Sequence, residues 1–380
     1  MQAEVHQAGT ELENFDLVTD VDEVALLNPL ILKKVFSSLD TPTLKSVRLV
    51  CPVWADVGAR FLGKQGRLTF STPHNRIINK ELTPFNHDLA KNIKLLFYTT
   101  RACYCNAVCT CSPYLPPNFV TILPEISNKL ETLKFFCVRA FEPAHEIWSA
   151  YHFPNLTHIS ITANGEDIDN KGRPRLEMTE FQLLPNLKVF SVTITPSCEK
   201  VSSKIWMSTF CQKLLNSAPN LEEVDLNTSF YRKFTECRKL RNLSLKLDSW
   251  GNFQFEISQM TKMLDSCRNS VESLTLDYLG WYNGPIELNF HFPNLTHLRI
   301  DDADVYVIRN SLNITNLPKL THFSLSSLDP SFQSKISAWL DHYNLRHSGI
   351  TSLDMVTLII PKLATRMGKL PEYWSISSRP

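Results

Sequence analysis

The sequence predicts an α/β chain with a small all-α module at the front, followed by an irregular solenoid whose strands line a concave face and whose helices and loops cover a convex one. Three observations predict it. A capped helical stripe lies near residues 27–39, a phrase of the form Leu-x-x-Leu-x-Leu returns nine times after residue 90, and helical patterns fall between its copies. The organisation expected is an acidic tail over 1–22, the helical module over 23–62, a linker over 63–90 and the repeat domain over 91–380.

The tail is set by charge. Residues 1–32 hold seven acidic residues and no Lys or Arg, so the rest of the chain carries +8 against +1 for the whole. Such a segment stays solvated and is expected to be disordered. The remaining Lys and Arg form no dense run, so no nucleic-acid partner is expected. With 43% apolar and 20% charged residues, the 380-residue chain has the profile of a globular protein. No apolar run is long enough to span a bilayer and no leader pattern opens the chain, so the cytoplasm or nucleus is the expected compartment, with its ten cysteines reduced.

In the module, Asn28 suits a helix N-cap and Pro29 the first helical position, where no N–H is needed. Leu32, Val35, Phe36 and Leu39 then recur at helical spacing, with Leu27, Leu30 and Ile31 off that stripe, so one face cannot hide all the apolar surface. Thr41-Pro42 opens a second helix carrying Leu44, Val47 and Val50, and Pro52 a third carrying Val53, Trp54 and Val57. Three short helices make a core that is marginal alone.

Val35-Phe36-Ser37-Ser38-Leu39 and Val50-Cys51-Pro52-Val53-Trp54 resemble the F-box, a helical module that plugs a protein into a cullin-type ubiquitin ligase. The proline falls one place late, and Leu30 stands where the family has Glu. The resemblance implies that Leu27, Pro29, Ile31, Leu32, Phe36, Leu39, Val50 and Trp54 bury against a Skp-family adaptor or hold the module together. Cullin would be reached through that adaptor.

The nine copies run from Leu130-x-x-Leu133-x-Phe135 to Ile350-x-x-Leu353-x-Met355, at intervals of 26, 31, 34, 19, 31, 24, 25 and 30 residues, and a weaker copy begins at Ile93. The last two apolar residues of each alternate with polar ones, as a strand with one buried face requires, and the first anchors the entering chain. No unit can bury that face alone, so neighbours stack. Pro-Asn or Pro-Lys often precedes the phrase, which explains the Asn-Leu-Thr at Asn155 and Asn294 better than glycosylation does. Helices are expected through Ile205, Phe210 and Leu214, through Met260, Met263, Leu264 and Cys267, and through Phe332, Ile336, Trp339 and Tyr343. The pattern resembles the leucine-rich repeats that follow the F-box in one large subfamily, which implies a non-catalytic substrate receptor of a ubiquitin ligase.

The polar residues between the apolar pairs would face a target: Lys134, His158, Ser160, Glu223, Asp225, Lys246, Asp277, His297, Arg299, Asp301, His322 and Asp354. Acidic groups lead five to three over Lys and Arg, which favours a basic peptide or patch. The three histidines each follow Thr in the repeat, so a pH-sensitive role competes with simple repeat ancestry.

Cys103, Cys105, Cys109 and Cys111 supply four thiols in nine residues. The number suits tetrahedral zinc, but the spacing is not that of paired Cys-x-x-Cys knuckles, and a loop of reduced thiols is the simpler reading. Asp167-x-Asp169-x-Lys171-Gly172 imitates a calcium loop, with Lys and Met178 at positions that need oxygen ligands. The phosphate, zinc-protease and nucleophile motifs are all missing, so neither catalysis nor a cofactor is expected. Two other readings stay open: a binding scaffold whose front helices only cap the solenoid, and a metal or redox sensor built on the cysteine cluster.

Overall fold

The computed structural model describes residues 26–65, 68–71, 90–96, 117–136, 144–163, 180–194, 201–228, 230–248, 256–279, 291–301, 312–327 and 347–357. The chain divides into two compact units, Met1–Arg67 and Leu68–Pro380.

In the first unit α1 (Pro29–Phe36), α2 (Thr41–Val47) and α3 (Pro52–Gln65) form the three-helix module. Asn28 caps α1 by accepting from the Leu30 N–H at 2.9 Å, and Asp40 caps α2 by accepting from the Thr43 N–H at 3.0 Å. That hydrogen bonding with Thr43 lowers the Asp40 pKa. The core consists of Leu32, Phe36, Leu44, Val57, Ala59 and Leu62, and Trp54 meets Phe36 edge to face at 5.4 Å. A Cβ at Gly58 would lie 2.6 Å from the Arg48 Cγ, so α3 needs glycine where it crosses that side chain. Gln65 ties the end of α3 back to the module by donating to the Leu39 carbonyl at 2.7 Å.

The second unit is built on an eleven-stranded parallel sheet in chain order. Its strands are β1 (Leu68–Ser71), β2 (Asn92–Leu96), β3 (Thr132–Phe136), β4 (His158–Ala163), β5 (Val189–Ile194), β6 (Glu223–Asn227), β7 (Asn242–Asp248), β8 (Ser273–Leu279), β9 (His297–Asp301), β10 (His322–Ser327) and β11 (Ser352–Thr357). All nine copies of the phrase are strands, and β2 adds a tenth, but Ile93 pairs with Leu133 rather than standing at the leading position, so the weaker copy begins at Ala90, three residues before its expected start. The register aligns like with like, as Ile93, Leu133, Ile159, Phe190 and Val224 are successive partners.

β1 falls within the stretch expected to be linker, and α3 runs three residues past the expected end of the module. α4 (Pro117–Ile126), α5 (Ala144–Ala150), α6 (Val201–Asn216) and α7 (Ile257–Asp265) punctuate the strands. The last two match expected patterns, with Phe210, Leu214, Met260, Met263 and Leu264 buried. α4 buries Phe119, Ile122, Leu123 and Ile126 at helical spacing despite Pro124 within it. The helix expected through Trp339 lies outside the described residues.

One continuous apolar core runs from Ala90 to Leu325. Its densest part is aromatic: Trp148 packs within 5.3–6.4 Å of the rings of Phe135, Phe153, Phe181 and Phe210. The leading residue of each phrase from Leu130 to Leu320 is fully buried, as an anchor should be. Among the described residues no helix is long and apolar enough to cross a membrane.

Two polar ladders hold the entrances of the strands. Asn155, Asn186, Asn220 and Asn294, the residues of Pro-Asn, each donate a side-chain N–H to a backbone carbonyl of the preceding repeat at 2.5–2.7 Å. Where Pro-Lys replaces Pro-Asn, Lys319 reaches the Asn294 side chain at 2.7 Å. Thr157, Thr296, Thr321 and Thr351 likewise donate hydroxyls to the preceding entrance carbonyl. Lys91–Glu131, Lys188–Glu222 and Arg241–Glu272 bridge other entrances. The Asn ladder pairs carbonyls that would otherwise need water, whereas the Thr hydroxyls add to carbonyls that already accept backbone N–H groups from the next strand.

Candidate functional surfaces

The first unit leaves an unusual share of its apolar chains in the open. Leu49 is 87% exposed, Leu30 72% and Val50 62%, and Leu26, Leu27, Ile31, Val35 and Val53 are exposed as well. Of the eight positions drawn from the F-box resemblance, Leu27, Pro29, Ile31 and Val50 are exposed, and Leu32 and Phe36 lie in the core. Leu39 and Trp54 are half-buried, with the Trp54 indole N–H donating to the Leu26 carbonyl at 2.8 Å. The positions thus divide into those that make the module and those available to a partner. Leu30 and Leu49, the two most exposed, were not among the eight.

The second candidate is the sheet face opposite the core. Register places Lys94, Lys134, Ser160, Ser191, Asp225, Ser244, Thr275, Arg299, Ser324 and Asp354 in one row across the strands. His158, Glu223, His297 and His322 flank it on the entrance side, and Lys246, Asp277 and Asp301 on the other. All twelve sequence-derived positions therefore share this face. Lys94 belongs with them and was missed because its copy of the phrase is weak.

Charge on the face is unevenly settled. Lys246 pairs with Asp277 at 2.7 Å, and Arg299 with Asp301 at 2.7 Å, while the Ser326 hydroxyl also donates to Asp301. Two of the five acidic positions are thus neutralised on the sheet itself. Glu223 and Asp225 are exposed and have no ion-pair partner among the described residues.

Each of the three histidines on this face is held by the threonine before it. The Oγ1 atoms of Thr157, Thr296 and Thr321 lie within hydrogen-bond distance of a backbone carbonyl and also 2.7, 2.8 and 2.9 Å from Nδ1 of His158, His297 and His322. The His297 and His322 rings stack at 4.2 Å with 10° between planes. His158 stands apart from them.

The thiols that are described make no site. Burial pushes the pKa of Cys211 and of Cys237 up to about 12, and raises that of Cys267 as well. Among the described residues no group of three or more His, Cys, Asp or Glu could hold a metal. Cys103, Cys105, Cys109 and Cys111 lie outside the described residues, as does the segment from Asp167 to Met178.

No family model matches the chain, and no curated protein is detectably similar to it.

Proposed function

We propose that the chain is the substrate-recognition subunit of a Skp–cullin–F-box ubiquitin ligase, working in the cytoplasm or nucleus. The front module docks on the adaptor and the leucine-rich sheet holds a target. The observation that carries this is the apolar surface of the front module, where Leu30 on α1 and Leu49 and Val50 in the turn after α2 stand exposed around a core that is already complete without them. An apolar surface rich for so small a unit is the signature of a protein interface. Each such chain, once fully buried, contributes on the order of 1.5–3 kcal/mol, so a few suffice for docking after ordering costs. The sequence resemblance from Val35 to Trp54 names the kind of partner.

The receptor does no chemistry in this reading. It holds a target beside the ubiquitin-charged enzyme and so raises effective concentration. The test is co-purification of the full chain with a Skp-family adaptor and cullin, comparing wild type with Leu30→Asp and Val50→Asp. Capture by wild type and loss in both folded variants supports the proposal. Absence of capture by wild type removes it and leaves a leucine-rich binding scaffold.

A further inference from the structure

The open face is balanced in one half and unbalanced in the other. From β7 to β10 its charges pair with one another. From β2 to β6 they do not. Lys94 and Lys134 are direct cross-strand partners, and neither has a carboxylate within ion-pair distance among the described residues. The Lys94 ammonium instead sits 4.3 Å from the centre of the Phe136 ring. Like charges directly opposite on neighbouring strands are unfavourable unless an anion joins them. At the other end of this half, Glu223 and Asp225 are exposed and unpaired. Between the two ends the row is floored by Ser160 and Ser191, short hydroxyl side chains that leave room above the sheet.

We infer that this half of the face binds an extended protein segment running across the strands, with an anionic side chain over Lys94 and Lys134 and a basic one over Glu223 and Asp225. The spacing follows from the sheet. Lys134 and Asp225 are three strands apart, about 14 Å, which an extended chain crosses in about four residues. The segment therefore carries a carboxylate or phosphate and, about four to six residues away, a Lys or Arg. Ser160 and Ser191 can donate hydrogen bonds to its backbone. A purely basic target, suggested by the count of acids alone, would meet two uncompensated ammoniums. The inference rests on the sheet being the recognition face of the proposed receptor, and it specifies the ligand for that face.

Fluorescence anisotropy tests it with the full-length chain and labelled Gly-Ser peptides holding one anionic and one Arg residue at the matched spacing. Aspartate and phosphoserine versions separate the two sources of negative charge. The matched peptide is expected to bind at least about tenfold more tightly than peptides with either charge alone or with a much shorter or longer spacing. Lys134→Glu and Asp225→Lys should each cost about tenfold, and the double exchange should prefer the peptide with its two charges interchanged. Ser191→Tyr fills the floor without changing charge and should also weaken binding. Equal binding by wild type and Lys134→Glu, or equal binding of matched and single-charge peptides, overturns the inference. Adaptor capture is read separately on the same proteins: its absence in wild type strikes the ligase proposal and leaves the peptide result standing.

Discussion

On β3 to β10 every apolar residue that the repeated phrase puts into a strand is buried, whereas in the front module Leu26, Leu27, Leu30, Ile31, Val35, Leu49, Val50 and Val53 all face outward. Both regions are rich in leucine and valine, yet the sheet uses its apolar set for self-assembly and the module keeps much of it in reserve. The difference lies in geometry. Each of these strands finds a neighbour of the same pattern on either side, so its alternating set is covered by register. Three short helices have too few faces to cover one another. Composition therefore does not distinguish buried from exposed leucines, but the presence of a stacked neighbour does.

The widest separation should come from Trp148→Ala, which opens a cavity among four phenylalanines and is expected to cost about 3–5 kcal/mol in the repeat unit while leaving adaptor capture intact. Denaturant melts followed unit by unit would measure it, and a loss under about 1 kcal/mol would refute the close packing. Next is Phe36→Ala, expected to cost about 3 kcal/mol and confined to the front module. It should weaken adaptor capture in proportion to the fraction unfolded, and a stable Phe36→Ala module that still fails to bind would place Phe36 at the interface.

Smaller effects probe the ladders. Asn186→Ala removes one hydrogen bond to the Pro154 carbonyl and should cost about 1 kcal/mol, and an unchanged repeat-unit midpoint would show the ladder to be dispensable. Leu30→Asp should shift stability by less than about 0.5 kcal/mol because the side chain touches solvent, although adaptor capture falls. Alkylation at neutral pH completes the series. Cys51 should be labelled in the native state, and Cys211, Cys237 and Cys267 only after unfolding, because burial blocks access and holds their thiols protonated. Rapid native labelling of Cys211, read by mass spectrometry, would contradict its burial.

Much of the sheet was legible because alternation and a leading anchor recur together, so each strand from β3 to β11 could be placed by its own residues. β1 escaped because Gln65 stands where its leading apolar residue should be, and α4 because Pro124 reads as a helix breaker. The open face of the sheet was legible as a set of positions. Its charge balance was not: Lys246 and Asp277 are 31 residues apart and only parallel register makes them neighbours. The same holds for Lys94 and Lys134, whose uncompensated contact no local pattern announces. In the front module the helical stripe identified Leu32 and Phe36 as core, but placed Val35 with them, although it is exposed.

The entrance ladders have a further consequence for how such a protein can be altered. Asn and Thr side chains clasp β4 to β6 and β9 to β11 to their predecessors at one fixed point, while the interval from the start of one phrase to the start of the next varies from 19 to 34 residues. Loop length is thus uncoupled from register. The outward positions form a lattice with fixed coordinates, which can be rewritten residue by residue, or lengthened behind, without displacing its other sites.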